Sequence, residues 1–366
     1  MPKMTLALRS AVLTSLGFTL LTACSDDDSP SGSPEAGVTE DGGASSSGGS
    51  SGKSGSGGKI GAGGATSAGG AVATGGTTAT AGARAIDGGT AGSRDDDAGL
   101  VDAGPMQVTL RFKATVGAKP FACGTTYDGQ GKTKVAVEPR DFRFYVQDVR
   151  LVGEHGADVP VALATRSPWQ TPDVALLDFE DGTGTCVDGN ADTNDVITGT
   201  VPRGKYTGVV FVNGIPDGLN HGDPLHLPAP LQVGTMTWGW LFGFKFVKAE
   251  LGAVATPGGD AEPGLGLIHL GSTGCNNVDD GGMPNFGAPP TVACTQANRN
   301  EVRLDGFDPG VNSVVADLGA LFAGTDLSVN NQCHSEGDSC STEFAALGLD
   351  YTTGAHTTTQ SVYRVE

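Results

Sequence analysis

Histidine, cysteine and tryptophan carry most of the chemistry open to this chain, which has six, seven and three of them. Imidazole nitrogen suits copper and zinc, and thiolate sulfur suits the softer ions. His269 lies inside the apolar run 265–270, directly before Gly271-Ser272-Thr273-Gly274-Cys275. An imidazole in such a run must either find a hydrogen bond or hold a metal. His221 closes the loop 214–221, and His334 stands between Cys333 and Cys340, where a constrained loop would present it. His155, His226 and His356 fall in loops and read as surface residues. Trp238 and Trp240 are two apart in the run 236–242, so on a strand they would share a face and pack in the core. Trp169 follows Pro168 in a loop-like stretch and nothing singles it out. The acidic loop 188–195 alternates oxygen ligands in a way that suits calcium. It lacks the glycine and closing glutamate of an EF-hand, and a plain polar turn accounts for it too.

No nucleophile elbow, Walker loop or HExxH motif occurs, so hydrolase and nucleotide-binding readings have nothing to stand on. No acid–base pair is evident either, and the chain is not expected to be an enzyme.

The elements that must position these residues begin with an export signal. Lys3 and Arg9 precede the apolar run 11–21, which ends in Leu21-Thr22-Ala23-Cys24. That is a bacterial lipobox, so residues 1–23 read as a signal peptide and Cys24 as the lipidated first residue. Two acyl chains anchor stably, and Ser25 is compatible with sorting to the outer membrane. The formal charge of -19 excludes nucleic acid and anionic lipid as partners. Residues 24–104 are Gly, Ser, Ala, Thr and Asp with hardly a large apolar side chain. Such a chain cannot offset its conformational entropy and should form a disordered tether spanning ~50 Å.

Residues 105–366 change character and suit one large all-β domain. Period-two alternation marks strands at 108–112, 142–146, 206–212, 236–242, 244–247, 265–270, 302–304, 314–316 and 360–365. Short helices are expected at 317–322 and 340–347. The spacing predicts a sandwich or distorted barrel with long loops. Beyond Cys24, the six cysteines Cys123, Cys186, Cys275, Cys294, Cys333 and Cys340 favour three disulfides in an oxidising compartment. No CxxC pair supports a thiolate cluster instead.

Read in order, several stretches resemble the MbnP-like family of four-Cys-motif proteins. They are Asp141-Phe142-Arg143-Phe144-Tyr145-Val146-Gln147-Asp148-Val149, Leu176-Leu177-Asp178-Phe179-Glu180-Asp181 leading to Cys186, and Gly204-Lys205-Tyr206-Thr207-Gly208. Gly214-Ile215-Pro216 through Asn220-His221 follows, then Met236-Thr237-Trp238-Gly239-Trp240 with Gly243-Phe244-Lys245-Phe246. His269-Leu270-Gly271-Ser272-Thr273-Gly274-Cys275 and the Cys333, Cys340 pair close the match. The resemblance implies an extracytoplasmic copper-binding protein. It also implies a partner, a dihaem peroxidase-like MbnH protein, that oxidises a tryptophan to kynurenine. The surface copper proteins CorA and MopE use kynurenine beside histidines in a similar way. Carried over, His221 and His269 become copper ligands, and Trp238 or Trp240 the kynurenine precursor. The chain departs from the family at Phe244, where a tyrosine is usual, and at His334, where a methionine is usual. Nearness in sequence then pairs Cys275 with Cys294, Cys333 with Cys340, and Cys123 with Cys186.

Two other readings stay open. The domain could be a tethered surface interaction module with no metal-dependent role, or a redox enzyme built on copper or modified tryptophan.

Overall fold

The computed structural model describes residues 104–366 except 256–257, 259–261 and 279–281. The signal peptide, Cys24 and the tether expected from the sequence lie outside the described residues.

Alternation becomes structure in the Met106–Val116 strand. Val108, Leu110, Phe112, Ala114 and Val116 turn inward, and Gln107, Arg111 and Lys113 do not. This strand anchors the smaller sheet. It pairs antiparallel with Val196–Val201 and parallel with Ser313–Asp317, which in turn takes Tyr363–Val365 as an edge. The larger sheet is organised by Val135–Gly153, a strand of 19 residues. Tyr206–Asn213 lies on one side of it and Val247–Ala253 on the other, both antiparallel. Asn300–Asp305 extends the first side. Leu265–Leu270 and then Asn331–Cys333 extend the second. The register of the long strand shifts between Gln147 and Arg150, where Asp148 sits at φ 48°. Such a bulge bends the strand and increases its twist.

The two sheets meet through aromatic rings. Phe112 of the smaller sheet packs edge-on against Phe144 and Phe211 of the larger, at 6.2 and 5.7 Å between centroids. Tyr363 closes the group against the same two rings at 5.8 and 5.3 Å. Edge-to-face contacts of this kind add to the stabilisation that burial alone provides. The fold is thus the all-β sandwich with long loops expected from the sequence. The helices at Leu318–Leu321 and Ser341–Leu347 fall where expected, and a further turn of helix forms at Asp217–Asn220. Disulfides join Cys123–Cys186, Cys275–Cys294 and Cys333–Cys340. These are the pairs that nearness in sequence suggested.

Two expected strands do not form as read: 236–242 is not a strand, and of 244–247 only Val247 joins one, the strand Val247–Ala253. Residues 236–242 were read as a strand presenting Trp238 and Trp240 on one face. Instead Gly234–Met236 is a 3-10 turn, and a bridge between Thr237 and Phe244, with backbone hydrogen bonds from Trp238 to Gly243 and from Lys245 to Met236, closes the segment into a loop. Gly239 at φ 97° and Gly243 at φ 72° take left-handed conformations that interrupt extended backbone. The two indoles therefore part. Trp238 is half-buried, and Trp240 is 39% exposed.

Candidate metal centre

The site is built on the outer face of the larger sheet. Alternation sends Phe142 and Phe144 to the core, so Asp141 and Arg143 point the other way. Yet Asp141 and Arg143 are both buried, as is Lys248 on the neighbouring strand. The register sets Arg143 opposite Lys248, and Lys248 opposite His269. Glu250 lies opposite Asp141. Charges two apart on each strand thus gather on one face.

They pair closely. Arg143 Nε donates to Asp141 Oδ1 at 2.8 Å, and Lys248 Nζ lies 2.7 Å from Asp141 Oδ2. Lys248 also donates to Asp188 and lies 3.5 Å from Glu250 Oε1. The acidic loop 188–195 thus sends its first carboxylate inward to an ammonium. Carboxylate oxygens of Asp141, Asp188 and Glu250 converge within 4.8 Å, and Lys248 ion-pairs with all three. Asp188, the first of the loop's three aspartates, is thus paired with Lys248. Asp192 instead donates its backbone N–H to Asn190 Oδ1, as in an ordinary polar turn.

The ladder ends at His269. Its Nε2 lies 2.7 Å from Glu250 Oε1. Burial alone would raise the Glu250 carboxyl, but His269 and Lys248 outweigh it and hold Glu250 below the usual range. A carboxylate only accepts, so Nε2 carries the proton and Nδ1 carries the lone pair. That Nδ1 is buried and has no hydrogen-bond partner among the described residues. Burial pushes the ring's pKa down, against the pull of Glu250, so the imidazole favours its neutral form. A neutral histidine that gives its other N–H to a carboxylate has the arrangement usual for a metal ligand.

Two aromatic side chains stand over His269. The parallel register matches Ile268 with Cys333, which brings His269 and His334 side by side. Their rings meet edge-on at 4.9 Å between centroids. Ser335 fixes this approach. It takes φ 68°, donates its hydroxyl to the His269 carbonyl at 2.8 Å and accepts the Gly271 N–H at 2.7 Å. Burial and the neighbouring His269 lower the pKa of His334 as well. The Trp238 ring lies 6.3 Å from His269. It crosses Gly271 so closely that a Cβ there would come within 2.5 Å of the indole. Lys245 Nζ sits 5.7 Å from the indole centroid and donates to the Thr235 carbonyl at 2.8 Å. Trp238, His334, Phe242, Ser272, Thr273 and Glu336 line a cavity of about 230 Å³.

His221 belongs to a different neighbourhood. Its Nδ1 lies 3.0 Å from the Trp240 carbonyl, which can only accept, so Nδ1 carries the proton. Asn220 Nδ2 donates to His221 Nε2 at 3.0 Å and to Ser272 Oγ at 3.3 Å, while Asn220 Oδ1 accepts the Phe244 N–H. Asn220 thereby ties three segments together. Of the residues expected at the site, the structure groups His269 with Trp238. It places His221 beside the Trp240 backbone and the Cys275–Cys294 bridge. Trp240 contributes its carbonyl there, rather than its ring. His334 was legible only as a residue in a bridged loop. Asp141 and Arg143 belong to a family-like stretch, while Lys248 and Glu250 carry no motif; the signal for all four is their i, i+2 spacing inside apolar strands.

A profile of the MbnP family matches residues 105–335. Among solved structures, MbnP from Methylosinus trichosporium superposes with a TM-score of 0.59 at 29% identity, covering 72% of this chain and 98% of that one. No curated protein matches by sequence.

Proposed function

The chain belongs to the MbnP family, and from that premise we propose that it binds copper through His269 and His334 beside Trp238. Membership supports a copper-associated role of the methanobactin-related kind. The observation that carries the site is the buried lone pair of His269 Nδ1, set by the Glu250 carboxylate and lacking a partner among the described residues. Neutral imidazoles suit copper in both common oxidation states. The pair His269 and His334 replaces the pair His221 and His269 inferred from resemblance, because the His269 and His334 rings are in contact.

Trp238 is the preferred kynurenine precursor, since it is the indole that reaches the cavity and His269. Oxidised to kynurenine by a peroxidase-class partner, it would supply an aniline nitrogen and a ketone oxygen where indole has only an N–H donor. Lys245 packs beneath that ring and would face the new polar groups. Lipid anchoring at Cys24 in the cell envelope and a dihaem partner belong to the same proposal.

The test is competition for copper(I) against a chromogenic chelator. His269→Ala and His334→Ala should each weaken binding by at least about tenfold, and His221→Ala much less. Full affinity in both of the first two would rule the site out. Loss in His221→Ala alone would restore the pairing inferred from resemblance. Peptide mass spectrometry of protein from its native host should find kynurenine at Trp238, with Trp169 and Trp240 intact.

A further inference from the structure

Ser272 lines a second cavity, of about 510 Å³, whose walls include His221, Cys294, Asp217 and Arg299. Here a ring nitrogen of His221 and the sulfurs of Cys275 and Cys294 all lie within 4.8 Å of one another. His221 Nε2 is 3.4 Å from Cys294 Sγ. Because Nδ1 donates its N–H to the Trp240 carbonyl, the lone pair sits on Nε2, the nitrogen that faces the sulfur. Three donor atoms are therefore assembled, two of them joined in a bond. We propose that the Cys275–Cys294 bridge caps a second metal site, and that its reduction exposes a Cys2His set for a thiophilic ion, cuprous copper or zinc.

Three observations favour this bridge over the other two. Each of the other bridges has a fully buried cysteine, Cys186 in one and both Cys333 and Cys340 in the other, with Cys123 half-buried, whereas Cys275 and Cys294 are both half-buried. Cys294 forms part of the cavity wall, so a reductant can reach it. Arg299, ion-paired with Asp217, lines the same cavity, and a guanidinium in the wall that Cys294 shares favours a thiolate there. The reductant is a dithiol. Its first thiolate attacks Cys294 Sγ and expels Cys275 as a thiolate; its second then releases Cys294 and closes the dithiol's own disulfide. Two electrons and two protons pass to the protein. The ion binds as both thiol protons leave to solvent, and it displaces the Asn220 N–H from His221 Nε2. Two thiolates and one imidazole match a three-ligand zinc site with a position left for water, and soft sulfur equally suits cuprous copper.

The experiment uses the full chain, treated with graded dithiothreitol and desalted without oxygen. Alkylation and mass spectrometry should label Cys275 and Cys294 before any other cysteine. Cobalt(II) added to this form should give a sulfur-to-metal charge-transfer absorption that the oxidised protein lacks. Zinc or copper(I) should then bleach it, and whichever does so at the lower concentration is the preferred ion. His221→Ala, which leaves every bridge in place, should weaken cobalt binding about tenfold or more. The C275S/C294S variant should show no such absorption, and His269→Ala should leave it unchanged. The proposal is overturned if the bridge resists dithiol until the chain unfolds, or if both thiols are free without the absorption. Unaltered binding in His221→Ala would overturn it too.

Discussion

The His269 and His221 neighbourhoods share Ser272 in their walls and differ in how their imidazoles are held. His269 hangs from a strand and is fixed by a carboxylate, within a row of buried charges that crosses three strands. His221 hangs from loops and is fixed by a backbone carbonyl and an amide. The first arrangement leaves a nitrogen unsatisfied, and the second satisfies both. A polar atom left unpaired inside a protein is costly unless a ligand completes it. The contrast favours the strand-borne histidine as the copper ligand proposed above, although both were equal candidates in the sequence.

Removing the charge that organises the first neighbourhood should break this contrast most severely. Lys248→Met deprives Asp141, Asp188 and Glu250 of their shared ammonium and should cost ~3–5 kcal/mol in urea unfolding. Asp217→Asn, at the exposed rim of the second cavity, should stay within about 0.5 kcal/mol of the parent. Comparable losses in the two variants would show that the buried row has no special part in the fold. Next in size is Glu250→Gln. The amide cannot fix the His269 tautomer as a carboxylate does, so copper affinity should fall about 10–100-fold while His221 contacts persist. An unchanged affinity would mean that Glu250 does not orient the ligand.

The smallest effect concerns pH. Burial depresses the pKa of His269 below its ordinary 6.5, and His334 shifts the same way. The unfolded chain then takes up protons first as pH falls. Both rings contribute full stability above about 6.5 and lose it as pH drops through their folded values. His269→Gln should flatten the acid limb of a thermal-melting series on metal-free protein. His221, also lowered by burial but half-exposed, should matter less when replaced.

Much of the fold was legible because its strands follow simple alternation, as at 106–116, and because two of its bridges are local. The site was less so. Charges at Asp141, Arg143, Lys248 and Glu250 alternate with apolar residues, but that alternation does not say whether other segments will bury them. Trp238 and Trp240 look like strand partners by spacing, but glycines at 239 and 243 turn the chain between and after them. The meeting of His269 with His334 depends on a parallel pairing between distant strands, which no short-range signal can specify.

That pairing also sets an order of events. Ser335, which steadies His334, lies 66 residues beyond His269 in the chain. His334 itself follows directly on one cysteine of the Cys333–Cys340 bridge. A nascent chain therefore completes His269 well before the residues that steady its neighbour. The proposed metal pair is therefore complete only once that late strand has joined the sheet.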